Sequence, residues 1–413
     1  VISAVEARRV PNPGDVSFEG ERELQTFDMS LVTSILDCLF SCSEDYSTDK
    51  RGDVGSWVRG ASMQSILSIC QTKVSISEDY WRGVVGVLLR QIVEKIDRLR
   101  QIAGDILTTI LKNFSLPEWG ELLKKTFVEN KDYLESFRQH QEKTQKAEEL
   151  PDQSEMPVQS STTHYERSNL WSVPNFTYPL VVPLLEMPEF RRDLVRGLVV
   201  SVGGITESTV RSSSQELVKF IRKNLGLSWD MLAVYKEREE RLHIPFMKTW
   251  RILLRDVPEL HTQENFGPEL MGTTQNIIRG SKDIHKWLAC VGVFTGLLDN
   301  SECFKEALRV ILGCLGQAFP KVRHLAAQNL YNYLLGVTSH IQICESEEDF
   351  NKITSLLIGT SWVLSVKEIR PVRNQIFEIL GMEPPKVKVE AKQEETKKEE
   401  DESYQSLVRE MGY

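Results

Sequence analysis

The chain has 413 residues, with 50 basic and 59 acidic side chains and a formal net charge of −9 at pH 7. This acidic balance argues against non-specific electrostatic attraction to nucleic acid phosphates or to anionic lipids. No apolar run reaches the roughly 18 residues that a membrane-spanning helix needs, and no signal peptide pattern opens the chain, so we expect a soluble protein of the cytosol.

The chain begins with Val1 instead of an initiating Met. This start indicates a processed product or a fragment of a longer polypeptide. We expect residues 1–24 to be irregular and helical repeats to occupy residues 25–138.

One short phrase recurs along the chain and defines the predicted helices. It consists of an apolar residue, an arginine directly after it, a small residue four positions on and an aliphatic residue eight positions on. The five copies start at Val58, Leu99, Val210, Val322 and Val372. Because steps of four and eight return to one face of an α-helix, the phrase predicts an amphipathic helix. The fifth copy has Ile376 at the small position, which indicates a less crowded terminal repeat.

Most copies follow a second amphipathic segment, such as FKEALRVILGCLGQAF before Pro320. Helix pairs that recur every 40 or so residues are typical of HEAT repeats. We therefore predict an all-α fold, a HEAT/armadillo-like α-solenoid of antiparallel helix pairs. The long intervals on either side of Val210 must hold degenerate repeats, and PFMKTWRILLRD from Pro245 predicts one of their helices. Strand signals are scarce, since no Asn-Gly or Asp-Gly hairpin turn occurs.

Two segments lack the apolar residues that a packed helix needs. Residues 139–168 are rich in Gln, Ser, Thr and Glu and predict a flexible linker between two blocks of repeats. We expect the second block at residues 169–383. Residues 384–413 are predicted to be a disordered charged tail, whose last ten residues, YQSLVREMGY, form a short helix only when bound.

The arginine of the repeated phrase has two possible roles. It occurs at Arg59, Arg100, Arg211, Arg323 and Arg373. In HEAT arrays such arginines usually bond to a carboxylate or a helix-end carbonyl group of the neighbouring repeat. We therefore predict an internal structural role, with direct contact to a partner as the alternative.

Catalytic and metal-binding patterns are missing from the sequence. The segment GSKD at Gly280 would need a second glycine at position 275 to resemble a phosphate-binding loop, and that residue is Gln275. GxGxxG, GxSxG and HExxH do not occur. The seven cysteines form no CxxC pair, and Cys38, Cys290 and Cys314 lie among aliphatic residues, which predicts reduced thiols in the core. We expect neither enzymatic activity nor a bound cofactor or metal.

A charged cluster precedes a strongly apolar segment in NIIRGSKDIHKWLACVGVFTGLLD, from Asn276. Its members are Lys282, Asp283, His285 and Lys286. One interpretation is a capped helix start with solvated charges. The other is a charged rim beside a groove, suited to a protein partner, and it makes these four residues the candidate partner-binding site.

Four tryptophans begin or join apolar stripes of the predicted helices. They are Trp57, Trp81, Trp250 and Trp287. We predict that they belong to the core. The alternative is a role as anchors of a partner, since tryptophan is enriched at binding hot spots.

Five runs resemble the C-terminal region of the tubulin-folding cofactor D family. They are GDVGSWVRGASMQSIL at 52–67, EKIDRLRQIAGDILTTIL at 94–111, RLHIPFMKTWRILL at 241–254, SKDIHKWL at 281–288 and FPKVRHLAAQNLYNYLL at 319–335. The runs occur in the family's order and span most of residues 30–335. DVGSWVR, EKIDR and SKDIHK are far more specific than the repeated phrase.

This resemblance implies a non-catalytic HEAT-repeat chaperone that captures β-tubulin. It also implies work with cofactors C and E and with a small GTPase related to ADP-ribosylation factors. Together these proteins would make and take apart αβ-tubulin heterodimers and, with cofactor C, stimulate GTP hydrolysis by tubulin. The expected location is the cytoplasm, at microtubules or centrosomes. Family members are longer, so part of their solenoid is missing here.

Two alternatives to this function stay open. A HEAT scaffold for transport or signalling would share the fold but lack the three specific runs. An enzyme with its site in the missing part is the second alternative, and nucleotide hydrolysis without tubulin would favour it.

Overall fold

The computed structural model describes residues 29–72, 74–148, 170–336, 343–344 and 346–385, and it describes the side chains of 141–148 no further than their helix. The predicted irregular segment 1–24 therefore lies outside the described residues, as does all but the start of the predicted tail. The chain divides into two compact units, Val1–Glu216 and Leu217–Tyr413.

The described residues of the first unit form mostly helices. Its helices are α1 (Met29–Cys42), α2 (Gly55–Gln71), α3 (Glu78–Ile92), α4 (Asp97–Asn113), α5 (Trp119–Phe127), α6 (Lys131–Glu148), α7 (Pro174–Val181), α8 (Pro188–Val202) and the first part of α9 (Glu207–Lys223). Two strands of two residues each, β1 (Thr48–Asp49) and β2 (Gly52–Asp53), form a small antiparallel hairpin. The strands are shorter than any strand that the sequence pattern would reveal.

Helix α3 is the centre of the first unit. Every residue from Val84 to Ile92 is buried, because α1, α2, α4, α7 and α8 all pack against this helix. The helix begins with Glu78 and Asp79 and carries Arg90 in its last turn, charges that complement the helix dipole. A Cβ atom at Gly197 of α8 would overlap the carbonyl oxygen of Arg90, so glycine permits the close approach of α8.

The second unit continues the same construction. Its helices are the end of α9, α10 (Leu227–Lys236), α11 (His243–Asp256), α12 (Phe266–Ile278), α13 (Ile284–Gly296), α14 (Phe304–Cys314), α15 (Pro320–Gly336), α16 (Glu347–Gly359) and α17 (Val366–Ile379). Helix α13 packs between α11 and α15, and α14 contacts α13, α15 and α17. Trp250 of α11 is fully buried and meets Phe266 of α12 edge to face, with ring centroids 5.7 Å apart.

Within each unit, several helices pack against the next helix and the one after it, as α2 does against α3 and α4 and as α13 does against α14 and α15, which is how stacked helix pairs build a core. The predicted all-α helical solenoid is confirmed. The segments predicted as helices before Pro320 and from Pro245 are α14 and α11.

The predicted linker boundary at residue 139 needs correction. Helix α6 continues to Glu148. Residues 139–148 read QHQEKTQKAE, and Gln, Glu, Lys and Ala are strong helix formers even where few apolar residues occur. The predicted linker boundary rested on the lack of apolar residues and did not take this helix propensity into account. Residues 149–168 lie outside the described part.

The third copy of the repeated phrase also differs from its prediction. On α9 the buried residues include Thr209, Ser213 and Leu217, whereas Val210 is half-buried and Arg211 is exposed. The buried stripe therefore starts one position before the predicted one. A shift of one residue turns a helix face by about 100° and carries the arginine out of the packed seam.

Candidate partner-binding site

The charged cluster lies at the start of α13, and Asp283 caps this helix. Its Oδ1 atom accepts hydrogen bonds from the backbone N–H groups of His285 at 2.8 Å and Lys286 at 3.4 Å. A carboxylate in this position satisfies backbone donors that the first helical turn leaves unpaired. Asp283 thus has a local structural contact.

Lys286 also bonds within its own unit. Its Nζ atom lies 2.8 Å from Oε1 of Glu240, and the lysine side chain is only 12% exposed. The hydrogen bond from Lys286 lowers the pKa of Glu240. Burial lowers the pKa of the neighbouring His243, and the positive charge of Lys286 lowers it further. The Lys286 ammonium group is therefore part of a polar contact at the surface of this unit.

Of the other two members of the cluster, Lys282 is exposed and His285 is half-buried, as Asp283 and Lys286 are. Its exposure makes Lys282 the best placed of the four to touch a partner.

An apolar groove lies one helical turn from the cluster. Leu288, three residues after His285, lines it, and the groove has a volume of about 470 Å³. Its other walls come from α15 and from the loop between α16 and α17, and they include Pro320, Lys321, His324, Leu325 and Val363. Val363 is 66% exposed. We call this surface the α13–α15 groove; it combines apolar walls with two basic side chains.

Two of the repeat arginines make the same set of bonds. Arg100 donates Nε–H to the carbonyl oxygen of Trp171 at 3.0 Å and another N–H to that of Glu94 at 2.9 Å. Arg323 donates Nε–H to the carbonyl oxygen of Trp362 at 2.9 Å and another N–H to that of Gln317 at 2.7 Å. In both, one acceptor lies six residues upstream and the other is a tryptophan in a following turn. Each guanidinium group therefore joins successive elements of the stack.

Arg59 uses carboxylates as well. It pairs with Asp53 at 2.9 Å, lies 3.8 Å from Glu94 and donates to the carbonyl oxygen of Asp45 at 2.6 Å. Its guanidinium carbon lies 4.0 Å from the ring centroid of Tyr46, a cation–π contact. Burial acts to lower the pKa of Arg59, but the partners outweigh this and raise it. Burial raises the pKa of Glu94, opposed by Arg59.

The two remaining repeat arginines differ from these three. Arg373 is buried and donates to the side-chain oxygen of Asn374 at 2.7 Å and 3.1 Å, so its bonds lie within its own helix. Arg211 is exposed, and it lines a polar pocket of about 880 Å³ with Ser208, Ser212 and Gln215. The predicted internal contact to a neighbouring repeat therefore does not apply to Arg211.

Sequence reasoning missed a second cluster of buried charges in the first unit. Arg90 on α3 and Arg196 on α8 both contact the carboxylate of Glu44, Arg196 through two hydrogen bonds of 3.0 Å. Arg90 also donates to the hydroxyl of Ser43 at 2.9 Å and lies 3.4 Å from Asp193. No local spacing signals this cluster, because the partners come from distant parts of the chain.

The tryptophans divide between core and surface. Trp250 and Trp81 are buried and Trp287 is half-buried, whereas Trp57 is 63% exposed. The prediction for Trp57 was wrong because the buried stripe of α2 passes through Arg59. A residue two positions away lies about 200° around the helix.

The cysteines follow a similar division. Five are buried, namely Cys70, Cys290, Cys303, Cys314 and Cys344. Cys38 is exposed, so the core position predicted for it was wrong. Burial raises the pKa of Cys314 to about 12.

Two further surveys cover the described part of the chain alone. No group of three or more His, Cys, Asp or Glu residues there is arranged to hold a metal ion. No helix among those residues has the length and apolar character to cross a membrane.

Comparison with known proteins finds a family match over a part of the chain that includes the charged cluster. Residues 82–286 match the family described as "Tubulin folding cofactor D C terminal". The chain resembles the C-terminal region of tubulin-folding cofactor D. The resemblance inferred from the sequence runs is therefore confirmed.

Two relatives carry cofactor D names. "Tubulin-specific chaperone D" of Dictyostelium discoideum is 24% identical over 401 residues, which cover 86% of this chain and 26% of the relative. "Tubulin-folding cofactor D" of Schizosaccharomyces pombe is 38% identical over 84 residues, or 20% of this chain and 8% of the relative. The chain thus spans about a quarter of the length of the Dictyostelium protein. No solved structure matches it.

The cofactor D match covers part of the polar contacts described above. It begins within α3 and ends at Lys286 of α13. Arg90, Arg196 and the whole candidate cluster at the start of α13 lie inside it, whereas Glu44 lies outside it. The α13–α15 groove lies outside it.

Proposed function

We propose that the chain is part of a tubulin-folding chaperone that binds β-tubulin. With cofactors C and E and a small GTPase related to ADP-ribosylation factors, it assembles or dissociates αβ-tubulin heterodimers in the cytoplasm, at microtubules or centrosomes. The observation that carries the proposal is the match of residues 82–286 to the C-terminal family of cofactor D. The two relatives whose names include tubulin support it.

Stacked helix pairs suit this task physically. Each pair adds a small area of surface, so a globular client is held over many repeats without a deep pocket. A stable interface buries about 800 Å² on each partner, far more than one charged cluster provides. The client surface must therefore extend over several helices.

In this proposal the chain contributes no catalytic group to GTP hydrolysis, which occurs at the nucleotide of tubulin. The chaperone promotes hydrolysis only if it binds one conformation of tubulin more tightly than the other. Its role is thus to select a client conformation.

Within the cluster, we assign the contact with the client to Lys282, because its side chain is exposed, and to the nearby half-buried His285. Acidic side chains on the client would complement Lys282, and such rim charges act mainly on the association rate and its salt dependence.

Size-exclusion chromatography tests the proposal. The chain is mixed with αβ-tubulin, alone and with cofactor E plus the GTPase, and each fraction is probed for β-tubulin and for α-tubulin. Co-elution of β-tubulin with the chain is the expected result. If a chain that is helical by circular dichroism retains β-tubulin in none of the mixtures, the proposal fails for this segment.

A further inference from the structure

The α13–α15 groove is a mostly apolar surface within the second unit. Its walls include Leu288, Leu325 and Val363, and the last of these is 66% exposed. Lys321 and His324 also line it, and the lining contains no carboxylate. An occupant with one apolar face and acidic flanks would complement this surface.

A segment of the same chain has this chemistry. Residues 401–413 read DESYQSLVREMGY. Tyr404, Leu407, Val408 and Met411 follow one another in steps of three, one and three positions, the spacing of a single apolar face of an α-helix. Asp401, Glu402 and Glu410 outnumber the single basic residue Arg409, so residues 401–413 carry a net negative charge.

The chain between the groove and this segment is also long enough to let them meet. The described part ends at Pro385, and 18 residues, 386–403, separate it from Tyr404. Helix α17 starts three residues after Val363 and its 14 residues are about 21 Å long, and residues 380–385 add at most about 21 Å more. Eighteen residues extend to at most about 60 Å, which is enough to bring Tyr404 back to the groove. A ligand joined to its site by a tether that spans the distance reaches an effective concentration of about the millimolar range.

We propose that residues 404–411, which we call the tail segment, bind the α13–α15 groove of their own chain as an amphipathic helix. A helix of eight residues is unstable alone in water, so the tail segment folds only on the groove. A protein partner that uses the groove must displace it. This inference does not depend on the assignment of tubulin as client.

Binding of a fluorescent peptide of residues 401–413 tests the competition. On the unaltered full chain the bound tail segment excludes the peptide. The double variant Leu407→Asp/Met411→Asp frees the groove, and we expect it to bind the peptide at least about tenfold more tightly. The control Gln405→Asp/Ser406→Asp adds the same charge off the apolar face and should leave peptide affinity near that of the unaltered chain.

A groove variant then locates the site. Val363→Asp, added to Leu407→Asp/Met411→Asp, should abolish peptide binding. Ile358→Asp is the matched control, because Ile358 is 63% exposed in the same unit and does not line the groove. Both variants change exposed side chains, and circular dichroism checks that they fold. Equal peptide affinity of the unaltered and tail-altered chains, or binding insensitive to Val363→Asp, would overturn the proposal.

A photo-crosslinker in place of Leu407 in the full chain gives an independent readout. We expect intramolecular crosslinks to residues 320–328 and 360–365. Crosslinks that appear only between two copies of the chain, or only at other surfaces, contradict binding within one chain. Failure of the peptide to bind any variant at 1 mM, about the expected effective concentration, would also contradict the proposal.

Discussion

At the scale of single residues, buried guanidinium groups organise the polar core of the stack. Arg100 and Arg323 belong to different units, yet each joins a carbonyl group six residues upstream to the carbonyl of a tryptophan in a later turn. Arginine suits this role because its planar group presents five donors in a fixed geometry and stays charged when buried. Lysine lacks this planar arrangement of donors.

Replacement of Arg323 by Ala should therefore destabilise the second unit. The change leaves the carbonyl oxygens of Trp362, Gln317 and Leu364 without their donor. We expect a loss of about 3 kcal/mol, measured by urea denaturation, since hydrogen bonds to charged groups contribute about 1.5–3 kcal/mol each. Arg211→Ala is the control, because Arg211 is exposed and should change stability by less than about 0.5 kcal/mol. Unchanged melting of Arg323→Ala with lost partner binding would instead favour a direct contact.

Stability should also fall at alkaline pH. Burial raises the pKa of Cys314 and of Cys70 to about 12. A cysteine of the unfolded chain titrates near 8.5, so above that pH the unfolded state releases a proton that the folded state keeps. The free energy of unfolding is thus fully present below about pH 8.5 and decreases as pH rises toward 12.

Urea denaturation at pH 8.5 and pH 10 measures this effect. Each buried cysteine should lower the free energy of unfolding by roughly 1.5 kcal/mol over that interval. Cys314→Ala removes one contribution, so its stability should decrease less than that of the unaltered chain. An identical decrease in both would show that Cys314 titrates as it does in the unfolded chain.

At the scale of helices, the sequence predicts packed stripes better than it predicts their register. Val322 and Leu99 are buried as expected, but Val58 is 39% exposed, and on α9 the buried face starts one residue early and leaves Arg211 outside. The repeated phrase fixes spacing within a helix, whereas the neighbouring helices decide which side faces the core. The side that faces the core depends on tertiary packing, and the spacing of residues within one helix carries no information about it.

The charge cluster of the first unit likewise could not be predicted from local sequence spacing. Glu44 and Arg196 are 152 residues apart and Glu44 and Arg90 are 46 apart. Neither separation is a helical period, so no pattern in one helix predicts the pairing. By contrast, a capped helix start was one of the two interpretations of the charged cluster, and the structure shows Asp283 as the cap, because a cap depends on residues a few positions away.

Close contact between α3 and α8 depends on one glycine. In Gly197→Ala the new methyl group meets the carbonyl oxygen of Arg90, and backbone cannot move aside as a side chain does. We expect a loss of roughly 1–3 kcal/mol, as for other overpacked cores, measured by thermal or urea unfolding.

Gly272→Ala on α12 is the matched control. No atom lies within 4 Å of its added Cβ atom, and alanine favours a helix interior by about 1 kcal/mol over glycine. This variant should be as stable as the unaltered chain or more so. Equal stability of the two alanine variants would contradict the close approach of α8 to α3.

At the scale of the whole molecule, the chain is two helical units that resemble part of a longer chaperone. The match to the cofactor D C-terminal region covers residues 82–286, and the chain spans 26% of the Dictyostelium relative. The sequence predicted the fold class from the repeated phrase and the resemblance to cofactor D from specific runs. The four candidate partner-binding residues stay a prediction, and Asp283 and Lys286 among them also bond within their own unit.

An equilibrium titration of fluorescent αβ-tubulin with the chain tests the central claim most directly. It compares the unaltered chain with Lys282→Ala/His285→Ala and with Lys305→Ala, a control at an exposed lysine of the same unit. The account predicts saturable binding by the unaltered chain and by Lys305→Ala, and binding about tenfold weaker for the double variant, as for an interface residue pair worth roughly 1.4 kcal/mol. No saturable binding by a folded, unaltered chain would contradict a client surface in these repeats, and equal affinity of all three proteins would exclude the start of α13 from it.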